Sequence, residues 1–347
     1  MRADRIDTDE SGAAAPERRA AQVPAVMPMC LPIARMRRVY QLDEVERRLQ
    51  KLPQKEHEPL RATYERMLEL GPERFQVKPS GLPALASLYD DLPNFTEVLD
   101  DLKRQLALCQ DSTDALEIAP MLLLGPPGVG KTHFAREVAQ LLGTGFGFVS
   151  MSSMTAGWLL SGASSQWKGA RPGKVFETLV DGRYANPVMV VDEIDKAGTD
   201  QAYDPMGSLY SLLEHDTAKT FTDEFAEVSI DASQVIWVAT ANDERAIPHP
   251  ILNRMNVYEV QMPEADAARR IATKLYQGIR GEHDWGSRFE PEPREDVLER
   301  MSTLAPREMR RAWMTGFGNA KLDRRDHVQA RDLPDARSKR GAIGFMQ

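Results

Sequence analysis

The sequence predicts an α/β fold: a parallel sheet flanked by helices, with a small all-α domain after it and a helical prefix before it. Three observations predict this. Short apolar runs at 121–124, 146–149, 188–191, 235–241 and 257–262 alternate with helical stretches, and runs of that length between helices read as buried parallel strands. Beyond Pro263 the pattern is helical over 264–280, 293–304 and 306–320. The first apolar run also feeds directly into a glycine-rich loop, with a helix expected from His133.

The prefix begins at Tyr40. Leu42, Val45, Leu49 and Leu52 recur at helical or heptad spacing, and Leu60, Tyr64, Met67 and Leu68 do so after Pro53. Gly71-Pro72 stops the second helix. This reads as a charged helical hairpin, either packed on its own domain or serving as a docking arm for a partner or neighbouring subunit. Residues 81–93, with Pro83 and Pro93, read as a linker, and Val98, Leu99, Leu102, Leu106 and Leu108 as a helix leading into the sheet. The start of the chain mixes acids and arginines around Ala and Pro. That matches neither a signal peptide nor an acid-poor transit peptide. The expected division is a disordered tail (1–39), helical prefix and linker (40–93), α/β nucleotide-binding domain (94–262), helical lid (263–335) and a second tail (336–347).

Composition narrows the classes. The 347 residues are 42% hydrophobic and 28% charged, enough for a sizeable core. No apolar run approaches the roughly 18 residues of a membrane span, so no membrane partner is expected. A net charge of −8 disfavours a mainly electrostatic nucleic-acid binder, although local basic loops would still serve one. Cys30 and Cys109 lie far apart, which suggests a reducing, cytoplasmic setting without a disulfide framework. The six histidines are scattered, with no HExxH and no Cys/His cluster.

The chemistry-bearing residues come in order. The loop is Gly125, Pro126, Pro127, Gly128, Val129, Gly130, Lys131 and Thr132. Its glycines let backbone N–H groups converge on phosphate oxygens, Lys131 neutralises β and γ phosphates, and the Thr132 hydroxyl suits Mg²⁺. ATP and Mg²⁺ are therefore the expected ligands. Next, the run 188–191 ends in Asp192 and Glu193. Asp192 suits the metal and Glu193 the attacking water, on a strand expected beside that of the P-loop. The run 235–241 then ends in Asn242, where ligands bind in such sheets, and Arg254 follows in Pro250-Ile-Leu-Asn-Arg-Met.

In this order, and before a helical domain, these motifs resemble an AAA+ ATPase, and most of all the ATPase module of Lon proteases. The similar stretch runs from about 120 to 320. It takes in Pro172-Gly-Lys174, Asn186-Pro187, Asp192-Glu-Ile-Asp-Lys196, Asp204-Pro205, Phe221-Thr-Asp-Glu224, Val238-Ala-Thr-Ala-Asn242 and Ile247-Pro-His-Pro-Ile-Leu-Asn-Arg254-Met255. The resemblance implies that Glu193 and Asn242 act on the attacking water. It implies that Arg254 is an arginine finger for a neighbouring subunit's nucleotide, and hence a homo-oligomeric ring, most readily a hexamer. It gives the lid's sensor role to Arg307, with Arg310 and Arg311 close by. Trp167-Lys168-Gly169 is similar to the family's aromatic pore loop, with Trp where Tyr or Phe is usual.

The chain departs from the family as well. Some 30 residues after the third lid helix leave no room for a Lon-type peptidase domain, and a short helical prefix replaces the family's long substrate-recognition region. Asn94-Phe-Thr-Glu-Val98 does not match the family's pattern before the P-loop. The expected function is ATP-driven remodelling, unfolding or threading of a polypeptide, with any peptidase or adaptor supplied separately. A nucleic-acid motor or loader, or a nucleotide-gated assembly switch, are the alternatives, because an aromatic among Lys168 and Arg171 would also suit a nucleic-acid channel.

Overall fold

The computed structural model describes residues 32–53, 57–79, 85–110, 112–152, 156–197 and 204–334. Its strands are β1 (Pro32–Arg38), β2 (Glu73–Pro79), β3 (Met121–Leu124), β4 (Phe146–Ser150), β5 (Val188–Asp192), β6 (Phe221–Thr222), β7 (Ser229–Ile230), β8 (Ile236–Ala241) and β9 (Asn256–Glu259). The helices that frame the sheet from the N-terminal side are α1 (Leu42–Lys51), α2 (Glu58–Leu70), α3 (Ala86–Asp91), α4 (Thr96–Leu108) and α5 (Lys131–Leu142).

Five strands form the main parallel sheet in the order β4-β5-β8-β3-β9. Burial explains the order. Every residue of β8 is buried, and β5 is buried up to Val191, so both need cover on two faces and sit inside. β9 buries only Tyr258, and β4 alternates, so both lie at edges. One expectation is corrected here. The strand ending in Asp192 is not the neighbour of the P-loop strand, because the fully apolar β8 takes the position between them.

The prefix is more than helical. β1 and β2 pair antiparallel along their whole length, with Met36 opposite Phe75, and α1 and α2 form the connection between them. Residues 32–38 therefore belong to a strand, not to the expected tail. Val39, Tyr40, Val45, Leu60, Tyr64 and Met67 enter the same buried cluster as Phe176, Leu179, Phe221 and Phe225, so the hairpin packs on its own domain. The charges of α1 suit its dipole, with Asp43 and Glu44 in the first turn and Arg48 and Lys51 in the last.

β2 is fastened to the segment before β5. Phe75 N–H donates to Arg183 O (2.9 Å), and Ala185 N–H donates to Phe75 O (2.9 Å). The fully buried Asn186 then pairs both ways with Val77: its Oδ1 accepts the Val77 N–H (3.0 Å) and its Nδ2 donates to the Val77 carbonyl (2.6 Å). The Arg74 guanidinium, also buried, donates to the carbonyls of Leu179 (2.9 Å) and Val180. Those carbonyls belong to the π-turn Glu177–Asp181, whose wide hydrogen-bond spacing and abrupt end leave backbone acceptors to be satisfied from outside.

The linker expectation is also corrected. Residues 86–91 are α3, which packs on the first lid helix, Ala265–Glu282, with an Asp91–Lys274 ion pair across the contact. Residues 1–31 (including Cys30), 80–84 and the tail 336–347 lie outside the described residues. The lid helices Ala265–Glu282, Glu295–Met301 and Pro306–Leu322 have their own core around Tyr276, Trp313 and Phe317, where Trp313 Nε1–H donates to Ala272 O (2.9 Å). Among the described residues no helix is long and apolar enough to cross a membrane.

Asn186→Ala leaves the buried Val77 N–H and C=O unpaired. It should destabilise the protein by about 2–4 kcal/mol, read as a lowered midpoint in urea unfolding.

Candidate active site

β3 delivers the loop to the carboxyl end of the sheet, and α5 begins at Lys131. Gly128 and Gly130 have φ of +86° and +106°, a region open to glycine and strained for other residues. A Cβ on Gly125 would fall 2.1 Å from the Val260 carbonyl, so the loop starts pressed against the chain after β9. Phe95 stacks on Phe134 of α5 at 4.7 Å, and Asn94 Nδ2 donates to Val129 O (3.3 Å), which ties the segment before α4 to the loop.

Lys131 is buried, and its ammonium donates to Gly125 O (2.7 Å), Pro126 O (3.0 Å) and Asn242 Oδ1 (3.0 Å). Burial lowers its pKa from the usual lysine value, opposed by the charges of Asp192, Asp195 and Glu193. Thr132 Oγ1 donates to Asp192 Oδ1 (2.9 Å), and so does Thr240 Oγ1 (2.8 Å). Thr240 in turn accepts the Glu193 N–H (3.0 Å). Glu193 itself adopts left-handed backbone, φ 55°, a strained state for a non-glycine residue that needs such an anchor. Its carboxylate forms no hydrogen bond or ion pair with a described residue and lines the cleft. The buried Asp195 carboxylate accepts the Asn242 N–H (3.3 Å), which fixes the residue that faces Lys131.

The cleft holds about 820 Å³ between sheet and lid. Gly128–Thr132, Asp192, Glu193, Thr240 and Asn242 form its floor, and the first and third lid helices its roof. The lid meets the loop directly: Arg307 N–H donates to Gly128 O (3.3 Å). Arg307 and Arg310 both line the cleft, but Arg310 is paired with Glu282 (2.8 Å), whereas the Arg307 guanidinium has no partner among the described residues. Arg311 does not line the cleft. Thr132 and Asp192 offer hard oxygen donors within one hydrogen bond of each other, a set that fits Mg²⁺.

This cleft has the parts of a nucleotide hydrolysis site, and the comparisons agree. The model of the family described as "ATPase family associated with various cellular activities (AAA)" matches residues 121–262. The chain carries an AAA ATPase domain. Over 192 residues it is 36% identical to the peroxisomal Lon protease homolog 2 of Oryza sativa subsp. japonica, covering 55% of this chain and 22% of that protein. Over 164 residues it is 35% identical to the Lon protease of Wolbachia pipientis subsp. Culex pipiens (strain wPip), covering 47% of this chain and 20% of that protein. The chain thus spans about a fifth of the length of these relatives. A point mutant of Thermotoga maritima RuvB superposes with a TM-score of 0.45 at 15% identity, covering 74% of this chain and 71% of that one.

The AAA domain does not bring every expected residue to the cleft. Arg254 lies elsewhere, with its guanidinium on Glu214 (2.8 Å), on Pro250 O (2.6 Å) and 5.9 Å from the Tyr210 ring. Trp167 is 42% exposed and packs edge-to-face on Trp158 at 4.8 Å. Its loop is clamped at the stem, where a Cβ on Gly173 would lie 2.4 Å from Gly162 N. The buried Asp223 holds that stem, accepting N–H bonds from Gly173 (2.8 Å), Phe225 (3.0 Å) and Ala226 (2.9 Å). Burial pushes the Asp223 carboxyl up to about 6, against the pull of those donors. Lys168 and Gly169 complete the exposed tip.

The sequence reading passed over Thr240, Phe95 and the cleft-lining Asp91 and Leu92. Thr240 had a signal, being the polar residue in the apolar run 235–241. Thr240→Val keeps the volume and removes the hydroxyl between Asp192 and Glu193. It should leave ATP affinity nearly unchanged and lower turnover about 10–100-fold, measured by calorimetry and steady-state phosphate release.

Proposed function

We propose that this protein is an AAA+ motor that spends ATP on remodelling, unfolding or threading a polypeptide. ATP occupies the cleft between sheet and lid. Lys131 moves from its carbonyl acceptors to the β and γ phosphates. Mg²⁺, held by Thr132 and Asp192, would neutralise phosphate charge. Glu193 takes the proton of the attacking water, Asn242 orients that water, and Arg307 reports γ-phosphate to the lid.

Arg254 sits outside its own subunit's cleft, so in this reading it completes the site of a neighbour in a homo-oligomeric ring, of which a hexamer is the natural size. Its pairing with Glu214 keeps the guanidinium positioned until that neighbour docks. Arg254→Ala should keep ATP affinity and lose about 10³-fold in turnover in the assembled protein. Normal hydrolysis by that variant would remove the shared site.

The observation that carries the polypeptide reading is Trp167, held exposed at the tip of a loop that is rigid at its stem. A large exposed indole grips chains by shape and apolar contact without reading sequence. The relatives with a similar ATPase module are named proteases, which agrees with a polypeptide substrate. A separate peptidase or adaptor and a cytoplasmic setting belong to the same reading.

The deciding experiment is ATPase stimulation. An unfolded protein should raise turnover several-fold, while single- and double-stranded DNA and RNA should not. Trp167→Ala should abolish the stimulation. Stimulation by nucleic acid alone would replace this reading with that of a nucleic-acid motor.

A further inference from the structure

A separate cavity, of about 500 Å³, opens at the amino-terminal ends of β3 and β8, the end of the sheet opposite the P-loop. Pro120 and Val235, which precede those strands, line it together with Leu116, Ile118, Leu212 and Leu213. Its size falls within the roughly 300–1,000 Å³ of ligand sites, and its make-up does too, largely apolar with a few polar groups. No lysine or arginine stands in its described lining, and its titratable residues, Glu117 and His215, are both exposed.

Two of the lining residues each hold a buried polar atom with no partner among the described residues. Trp237, 3% exposed, lies on the central strand β8, and its indole N–H finds no acceptor. Gln105, on α4, has an orphan Oε1. The orientation of that amide is fixed, because its Nε2 donates to Asp101 Oδ2 (2.5 Å), an oxygen that also takes the Tyr258 hydroxyl (2.6 Å). A buried donor or acceptor left unpaired forfeits its hydration without return, and such groups are few in folded proteins. Bulk water reaches neither atom. A group that enters the cavity and packs against Trp237 and Gln105 supplies what both lack.

One donor and one acceptor, both neutral and both held in place, match a ligand with one acceptor, one donor and an apolar body. An amide has that set: its carbonyl accepts from the Trp237 indole, and its N–H donates to Gln105. A phosphate or a carboxylate would bring a charge into a lining that offers no cation to pair with it. We propose that this cavity is a binding site for an uncharged amide with an apolar substituent, whether a small molecule or the peptide group of an apolar residue. The proposal goes beyond the ATPase and polypeptide readings and depends on neither. An occupant at this end of the sheet leaves the nucleotide cleft free.

The test uses the full chain with isotope-labelled tryptophan, whose five indole N–H groups are followed by NMR. Trp237 is the signal lost in Trp237→Phe or, if that variant does not fold, the one that survives replacement of each other tryptophan. The probe is N-methyl isocaproamide. Its controls are methyl isocaproate, which keeps the shape without the N–H, and the isocaproate anion. The amide should move the Trp237 signal saturably and bind about tenfold more tightly than the ester, the worth of one hydrogen bond, with the anion weakest. Gln105→Met, which removes the acceptor, should bring the amide down to the ester. A capped Gly-Gly-Leu-Gly-Gly peptide separates the two sources: if it displaces the amide the natural occupant is a peptide segment, and if it does not the occupant is a small molecule. Should Gln105→Met lose its fold with the Asp101 contact, the comparison of amide with ester on the unmodified protein decides alone. Equal binding of those two, or a Trp237 signal that does not move, overturns the site and leaves the ATPase and polypeptide readings standing.

Discussion

The Asp192 carboxylate joins parts of the chain that do not touch in sequence. One oxygen takes hydroxyl hydrogens from Thr132, at the start of the P-loop helix, and from Thr240, on the central strand. β8 stands between the P-loop strand and the acid strand, so the acid cannot be set by direct pairing of those two strands. Thr240 bridges the gap. The same hydroxyl oxygen accepts the Glu193 N–H, which holds Glu193 in a left-handed conformation costing of order 1–3 kcal/mol. Without that anchor the Glu193 carboxylate would relax away from the cleft it lines. Asp192, Glu193 and the P-loop helix are thus registered to one another through two oxygen atoms, Asp192 Oδ1 and Thr240 Oγ1.

Much of this was legible in the sequence, for a physical reason. Strands buried on both faces are apolar throughout, so the runs at 121–124, 188–191 and 235–241 announced themselves. The candidate site residues sit at strand ends, where the apolar run stops at Gly125, Asp192 or Asn242. Strand order was less legible, because pairing in a parallel sheet is decided by non-local contacts. The prefix strands were hidden for a different reason. β1 carries Arg35, Arg37 and Arg38, and arginine-rich segments read as solvated tails. What makes it a strand is its partner β2, itself held by Asn186 and Arg74 through backbone groups that no local pattern reveals. Residues 86–91 were masked by Pro83 and Pro93, which bracket a helix as readily as a linker.

Those hidden parts act on the Trp167 loop. The chain leaves the loop at Gly173 and enters the helical segment from Lys174 through the π-turn, whose Leu179 and Val180 carbonyls Arg74 satisfies. Asp223 fixes Gly173 from the other side, and the Tyr64 hydroxyl reaches the Ala226 carbonyl on the same hairpin connection (2.9 Å). The prefix therefore braces both supports of the loop stem. If the loop pressed on a substrate it would need such backing, because force applied at an exposed tip otherwise dissipates in bending at the stem.

The arginine outside the cleft is held by a short helical turn of its own domain. The helical turn Leu209–Leu212 buries Leu209 and Leu212 in the core, while its Tyr210 ring and the following Glu214 hold Arg254. These residues share one turn and its immediate exit, and a packed helical turn moves as a unit because close-packed surroundings deform little. A shift of this turn would therefore carry Tyr210 and Glu214 together. Arg254 would follow, being tied to both. In a ring where Arg254 completes the neighbour's site, the position of this turn would bear on hydrolysis next door without any long relay.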